Sequence, residues 1–406
     1  MTDSSPGRRS ILILSPWPSL FSMGRGGTPI TADLVEALLA AGYTLDFVAP
    51  ENPVWNWMPD HERLRVHRFR DPGAFVPGHL GRSVALLLRT VKLTLKSLGV
   101  ARGHGRPGLV YAFSSHAIPA GVCCGMLFRR PTIGALFGTF LYPYLGRRVE
   151  LLRRVDEVLA FKAPLDRLVI LNDGTRGDEV ARALRVPEER LRFWMHGLDL
   201  DACSAAMGAS ARSELGLSER PLVVSTSRLV GWKHVERILR AAPAVLTECP
   251  DAEFAISGEG PEREALEDLA RELSIDHAVR FLGPLDRDVN LRLIASADVF
   301  CALYDFSCVG VALLEALGCG VPAVVADTGA TRDFVEDGVN GFVVPPDDTS
   351  ATAVAIGRLL ADGELRARLG REARLRAEER FLRPEERSAL ELETIADLAD
   401  VKRRAG

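Results

Sequence analysis

The chain has 406 residues, 47% of them hydrophobic and 26% charged, with a formal net charge of −4. That length suits two α/β domains of ordinary size, and the near-neutral charge argues against a nucleic-acid binder. No uncharged stretch reaches membrane-spanning length. The seven cysteines are scattered without a CxxC pair, and the adjacent Cys123 and Cys124 do not suit a bridge. All seven are expected to be reduced thiols of a cytoplasmic protein.

The chain begins MTDSSPGRRSILILSP. Its apolar run, Ile11 to Leu14, is too short for a signal peptide and lacks a small-residue cleavage site, so it predicts a central parallel strand. A glycine-rich loop leads to a helix over about Pro29 to Ala41, closed by Gly42, and Leu45 to Ala49 is the next strand, which makes a βαβ start. Gly24 and Gly26 do not build GxGxxG, which argues against a nicotinamide or flavin dinucleotide. Gly26 and Gly27 either let backbone approach a phosphate or sugar closely or form a flexible turn. Trp55 and Trp57 either stack on a ligand or cap a core. From His61 to Pro107 there are ten Lys/Arg and two acids. Within it, residues 82–102 predict a basic amphipathic helix with Arg89, Lys92 and Lys96 on one face. It is either a peripheral membrane contact or a solvated surface helix.

Leu109 to Phe113 is a strand running into SSHA. His116 therefore falls just past a strand end, where parallel sheets hold ligand residues; a structural histidine is the alternative. Thr132 to Leu136 and Leu168 to Leu171 are further strands, and Asp173 is expected to N-cap the helix that follows. Leu200 to Gly216 is expected to link two halves. From PLVVSTSRL onward the strand–helix alternation restarts, and after Thr349 only helices are expected.

The chemistry gathers in FCALYDFSCVGVALLEALGCGVP, residues 300–322. A strand passes through a small-residue turn into a helix opened by Gly310. Such a helix start is an anion site because its first N–H groups have no intrahelical partner. Arg228 and Lys233 follow an earlier strand and should share the same sheet edge, so together they suit a diphosphate. Glu315, expected on the exposed side of the helix, can accept bonds from ribose hydroxyls; a solvated surface glutamate is the alternative. The DxD strings Asp199–Asp201 and Asp286–Asp288 fit a hinge and a helix start better than a metal site.

These residues carry a resemblance. SRLVGWK, AISGEGPEREALEDLA, VRFLGPL, LLEALGCGVP and DTGATRDFVEDGVNGFVVPPDD fall in that order over about residues 220–350. They resemble the donor domain of family 4 glycosyltransferases, and ILILSP, the GRGGTP loop and FWMHGLD match the other half more loosely. The resemblance implies the GT-B fold: α/β, two Rossmann-like doubly wound domains facing across a cleft. Here residues 1–199 would be the acceptor domain, 200–375 the nucleotide-sugar donor domain, and 376–406 a C-terminal helix returning to the first. It implies retaining, metal-independent and cofactor-free transfer from a UDP- or GDP-type sugar to a sugar, lipid-linked or small-molecule acceptor. Arg228 and Lys233 would hold the diphosphate, helped by the Gly310 and Val311 amides. Glu315 would hold the ribose, Gly258, Leu282 and Gly283 would surround the base, and Gly26 and Gly27 would face the diphosphate. Arg228, Lys233, Ser307 and His116 form the expected catalytic set.

The chain departs from the family pattern in three places. The family pairs two glutamates eight positions apart, and eight before Glu315 stands Ser307, which can hydrogen-bond but brings no charge; Asp305 is the alternative carboxylate. Phe137 stands where many members have histidine, which implies either a different acceptor contact or a polar role taken by His116 or His196. His196 replaces the usual asparagine of NGVD. A nucleotide-sugar epimerase of the same fold and a non-catalytic nucleotide-sugar binder are the other readings. The expected location is cytoplasmic, with the 82–102 helix as a contact at the inner membrane face.

Overall fold

A computed structural model describes residues 9–16, 29–51, 60–70 and 78–404. Gly24, Gly26, Gly27, Trp55 and Trp57 lie outside the described residues.

The first half contains β1 (Ser10–Leu14), α1 (Pro29–Ala40), β2 (Thr44–Pro50), β3 (Leu64–Phe69), α2 (Gly78–His104), β4 (Leu109–Phe113) and α3 (Ile118–Phe128). It continues through β5 (Thr132–Leu136), α4 (Arg148–Arg153), α5 (Val155–Lys162), β6 (Arg167–Leu171), α6 (Gly177–Ala183) and β7 (Leu191–Trp194). The strands form one parallel sheet in the order β3-β2-β1-β4-β5-β6-β7. Ile11 of β1 lies opposite Leu45 and Leu109. Ile11 and Ile13 pack on one face with Leu34 and Leu38 of α1, while Leu12 and Leu14 pack on the other with Leu93 of α2 and Ile118 of α3. Both faces are covered, so the strand is apolar at every position from Ile11 to Leu14 rather than at alternate ones.

The second half opens with α7 (Leu200–Met207), β8 (Leu222–Thr226), α8 (Val235–Glu248), β9 (Glu253–Ser257), α9 (Arg263–Glu272) and β10 (Val279–Gly283). It goes on through α10 (Arg287–Ala295), β11 (Val299–Ala302), α11 (Val311–Gly318), β12 (Ala323–Ala326) and β13 (Gly341–Val344). Three helices end the described chain: α12 (Thr349–Ala361), α13 (Gly363–Arg380) and α14 (Pro384–Arg404). The second sheet runs β10-β9-β8-β11-β12-β13, again parallel. In a sheet of that order ligands bind beyond the carboxyl ends of the strands, where the order reverses between β8 and β11.

Leu200 to Gly216 is not the expected linker. Leu200, Cys203, Ala206 and Ala211 are buried in the core of the second half. The small residues of α7 allow close approach: a Cβ on Gly318 of α11 would lie 3.0 Å from the Cys203 sulfur. The buried Arg212 guanidinium donates to the carbonyls of Ser218, Arg220 and Ser296, at 2.8, 2.6 and 2.8 Å. The chain changes halves just before α7, where Leu198 N–H donates to the Leu382 carbonyl at 2.8 Å.

A break after residue 375 would fall inside α13, which continues to Arg380. The turn to the first half comes at Pro384, and α14 places Ile395 and Leu398 in the same core cluster as Ile11 and Leu38. A buried polar chain fixes this helix. Arg387 Nη2 donates to Glu391 Oε1 at 2.9 Å, Tyr111 Oη donates to the same oxygen at 3.1 Å, and Arg387 Nε donates to the Met195 carbonyl at 3.1 Å. The Arg387 and Glu391 side chains are only 3% and 6% exposed. Removing one member of such a pair strands a buried charge. Arg387→Ala should therefore cost about 3–5 kcal/mol, read as a lower urea midpoint, whereas Arg387→Met with Glu391→Leu should recover most of the loss.

Candidate active site

The two sheets turn their carboxyl edges toward one cleft, and side chains from both halves meet there. On the second half, β8 runs out through Ser227 and Arg228 into a short turn, Gly231–Lys233, before α8. Lys233 therefore sits on that turn, ahead of the helix. Its Nζ lies 3.6 Å from the Tyr304 ring centroid and 4.3 Å from that of Trp232, a two-sided cation–π seat. Burial pushes this ammonium down to about 7, with Arg228 adding to the effect and Asp173 opposing it. The exposed Arg228 guanidinium reaches over Trp232 at 6.0 Å. Phe140 of the first half closes the aromatic group edge-on, 5.9 Å from Trp232 and 4.9 Å from Phe306.

Backbone packing requires glycine at two neighbouring positions. Leu229 N–H donates to the Glu259 carbonyl at 3.0 Å, which draws the segment after β8 onto the segment after β9. A Cβ on Gly258, whose φ is +132°, would lie 1.8 Å from the Ser227 carbonyl oxygen, and one on Gly260 would lie 2.1 Å from that of Leu229. Gly258 N–H donates to the Gly283 carbonyl at 2.8 Å, and the half-buried Leu282 packs beside them.

Gly310 is the N-cap of α11, in extended backbone, and no side chain caps the helix. The first amides, beginning with Val311, are thus left for a ligand. Glu315 is not on an exposed face as expected. It is 6% exposed, with Arg287 Nε at 3.9 Å. Burial pushes its carboxyl up to about 7 against the pull of Arg287, with Asp199 adding to the rise. Arg287 also acts on Asp33 of α1, whose carboxyl burial raises to about 6. One guanidinium thereby serves carboxylates from both halves.

Ser307 and Asp305 are both committed. Ser307 is buried; its Oγ donates to the Asp173 carbonyl of the first half at 2.7 Å and accepts from Val309 N–H at 3.0 Å. Asp305 accepts from Arg237 Nη2 at 3.2 Å and pairs with His234 Nε2 at 2.8 Å, so its carboxylate is turned away from a substitute role. Asp173 does not cap α6, whose N-cap is Arg176. Its Oδ1 instead accepts from Thr175 N–H and Thr175 Oγ1, at 3.1 and 2.6 Å. The reason is Gly174, whose φ of +75° turns the chain before the helix can begin.

His116 lies past β4, half-buried, with its Nδ1 3.3 Å from Ser115 Oγ and its Nε2 3.8 Å from Asp156 Oδ2. Burial pushes the His196 imidazole down to about 3, with Arg387 of α14 adding to the effect; it belongs to the return of the last helix rather than to the cleft. Phe137 stacks on Phe113 at 5.9 Å. Of the expected set, then, Arg228, Lys233, Gly258, Gly283, Gly310, Val311 and Glu315 share one sheet edge, whereas Ser307 ties the halves together. Sequence reasoning missed Asp33, Asp173, Trp232, Tyr304 and Arg287. Trp232 stands beside Lys233 in SRLVGWK and offered a signal. Asp33 and Arg287 are far apart in sequence and offered none.

The site's geometry can be set beside known proteins. The pattern of glycosyl transferases group 1 matches residues 209–376. The chain is 31% identical over 209 residues to the alpha-D-kanosaminyltransferase of Streptomyces kanamyceticus, covering 51% of this chain and 54% of that one. It is 35% identical over 193 residues to the GDP-mannose-dependent alpha-(1-6)-phosphatidylinositol monomannoside mannosyltransferase of Mycolicibacterium smegmatis, covering 45% and 50%. The matches span about half the length of these curated relatives. Among solved structures, sucrose-phosphate synthase from Thermosynechococcus elongatus superposes with a TM-score of 0.77 at 19% identity, covering 97% of this chain and 100% of that one. Anabaena HepE, solved with UDP and glucose, gives a TM-score of 0.72 at 19% identity, covering 96% and 100%. At that identity the likeness shows the fold, two Rossmann-like halves in the GT-B arrangement.

Because the Lys233 ammonium is held down to about 7, its charge is lost as pH rises past neutrality. Affinity for a nucleoside diphosphate should fall by up to about tenfold per pH unit above about pH 7.5, where the ligand's own charge is constant. Calorimetry on Lys233→Arg should show that slope flattened.

Proposed function

We propose that this chain, which through residues 209–376 belongs to the glycosyl transferases group 1 and has the GT-B fold, moves a sugar from a nucleoside-diphosphate sugar to an acceptor hydroxyl. The observation that carries the reading is the convergence on one sheet edge of Arg228, the seated Lys233, the uncapped start of α11 and the buried Glu315. The leaving group is a nucleoside diphosphate, so the reaction needs fixed positive charge and amides where phosphate charge develops. Arg228, Lys233 and the first α11 amides supply these, and transfer needs no metal. Glu315 takes the ribose. The donor is of UDP or GDP type, in keeping with the GDP-mannose dependence named for one relative and the UDP bound in HepE. The alpha linkages named for two relatives favour retention of anomeric configuration.

The acceptor reading follows from α2. This helix buries Leu93 and Ser97 on its inner face, yet exposes Val84, Leu87, Leu88, Val91 and Leu95 along another, with Lys92 and Lys96 on its flank. From residue 72 to 149 the sequence holds ten Lys/Arg and no Asp or Glu. An apolar stripe with cationic flanks fits an anionic lipid surface, and favours a lipid-linked acceptor delivered there. No helix among the described residues is long and apolar enough to cross a membrane, and the contact proposed for α2 is a peripheral one.

Arg228→Ala and Lys233→Ala should each weaken nucleotide-sugar binding at least about tenfold, or 1.4 kcal/mol, in calorimetry run with EDTA present. Unchanged affinity in both would refute the site. Product analysis with acceptor omitted separates transfer from epimerisation, since an epimerase alters the donor alone. In flotation assays the native chain should rise with anionic vesicles and not with zwitterionic ones. Leu87→Asp with Leu95→Asp should abolish flotation while leaving transfer to a soluble acceptor intact.

A further inference from the structure

We infer that Asp173, contributed by the first half, holds a hydroxyl of the transferred sugar and helps set which donor is accepted. The inference rests on the diphosphate reading of the cleft and adds to it the group that grips the sugar.

The sugar is joined to the phosphate farther from the nucleoside. Once Lys233 and Arg228 hold that diphosphate, the sugar must lie between them and the facing edge of the first sheet. The loop from β6 to α6 supplies that edge. Its main chain is fixed from both sides: Asn172 N–H donates to the Trp194 carbonyl at 2.7 Å, Ala330 N–H donates to the Gly174 carbonyl at 2.7 Å, and Ser307 Oγ holds the Asp173 carbonyl. Neither Gly174 nor Gly329 has room for a side chain at this contact, since a Cβ would come within 2.3 Å of Ser307 Oγ and 2.1 Å of the Phe306 carbonyl oxygen respectively. The loop is therefore a rigid mount.

On that mount the two carboxylate oxygens of Asp173 differ. Oδ1 takes both bonds from Thr175. Oδ2 lies over the bare face of Gly138, where a Cβ would be 2.0 Å away, and takes no hydrogen bond from another of the described residues. Lys233 is the opposing charge that acts on this carboxylate, while Arg228 and the Cys308 thiol act on Lys233 in turn. Glu157 approaches from α5 but accepts from Thr139 Oγ1 at 2.8 Å and Phe140 N–H at 3.0 Å. A desolvated carboxylate with one oxygen fixed and one open is an acceptor for a hydroxyl. Ser307, by contrast, has spent both its donor and an acceptor position. Burial supports the assignment by raising the Asp173 carboxyl to about 6, so its ionised, accepting form grows as pH rises through that value.

Asp173→Asn keeps an oxygen for Thr175 and removes the charge. Measured near pH 6, below the Lys233 titration, affinity for the nucleoside diphosphate should stay within about twofold, while kcat/KM for the nucleotide-sugar falls about ten- to a hundredfold, and the acid limb near pH 6 disappears from its pH profile. The native chain gives a second, mutation-free reading. Across singly deoxygenated donors, one position should lose a comparable factor, and Asp173→Asn should be indifferent to that same deletion. An Asn variant that matches the native chain in donor KM and pH profile overturns the inference alone, as does a native chain indifferent to every deoxygenation. A native chain that fails to bind nucleoside diphosphate overturns both this inference and the reading beneath it.

Discussion

Charge withdrawn from water at the facing edges of two sheets is the constraint around which this molecule is arranged. Lys233 is held between two aromatic rings, Glu315 is buried against Arg287, and Asp173 lies over a glycine that leaves no side chain in its way. Of the three, only Glu315 has an ion-pair partner among the described residues, and Arg287 stands at 3.9 Å from it. Each is held in a costly state by neighbours that are themselves well fixed. Protonation equilibria are displaced in the directions that burial requires: the ammonium loses its proton more readily, and the carboxyls keep theirs longer. A phosphate and a set of sugar hydroxyls are the chemical complement of that arrangement.

Such groups keep their positions only if the two halves are held in register. Two devices do this. The loop after β6 and the loops at Phe306 and Gly329 are interlocked by backbone hydrogen bonds and by glycines packed too closely for any side chain. At the other end, α14 leaves the second half and packs into the core of the first, anchored by the Arg387–Glu391–Tyr111 chain. The buried ion pair there adds little net stability beyond what apolar residues would give. Its directional bonds fix where the helix lies against β4 and β7, and so how the first half meets the second.

Much of this was legible in the sequence. The runs Leu109 to Phe113 and Thr132 to Leu136 are strands over those same residues, because strands covered on both faces are almost wholly apolar and stand out from the loops around them. Gly310 and Arg228 were legible for a related reason: a helix start or strand end is marked locally, and one edge gathers all of them. Leu200 to Gly216 misled because small residues read as a linker when nothing in the string shows the groove they fill. Ser307 misled likewise: its place in the chain points to the sugar, while its hydroxyl is consumed by a carbonyl more than a hundred residues away.

The sequence alone determined the two parallel α/β halves, the run of terminal helices and the sheet edge where Arg228, Lys233 and Gly310 gather, since each follows from periodicity or from a motif within a few dozen residues. Tertiary structure alone decided which groups stand opposite one another. The electrostatic pull of Arg287 on Asp33, the burial of Glu315 and the open oxygen of Asp173 arise where separate segments close on one another. Desolvation depends on everything packed around a group, and no local stretch of sequence contains that neighbourhood.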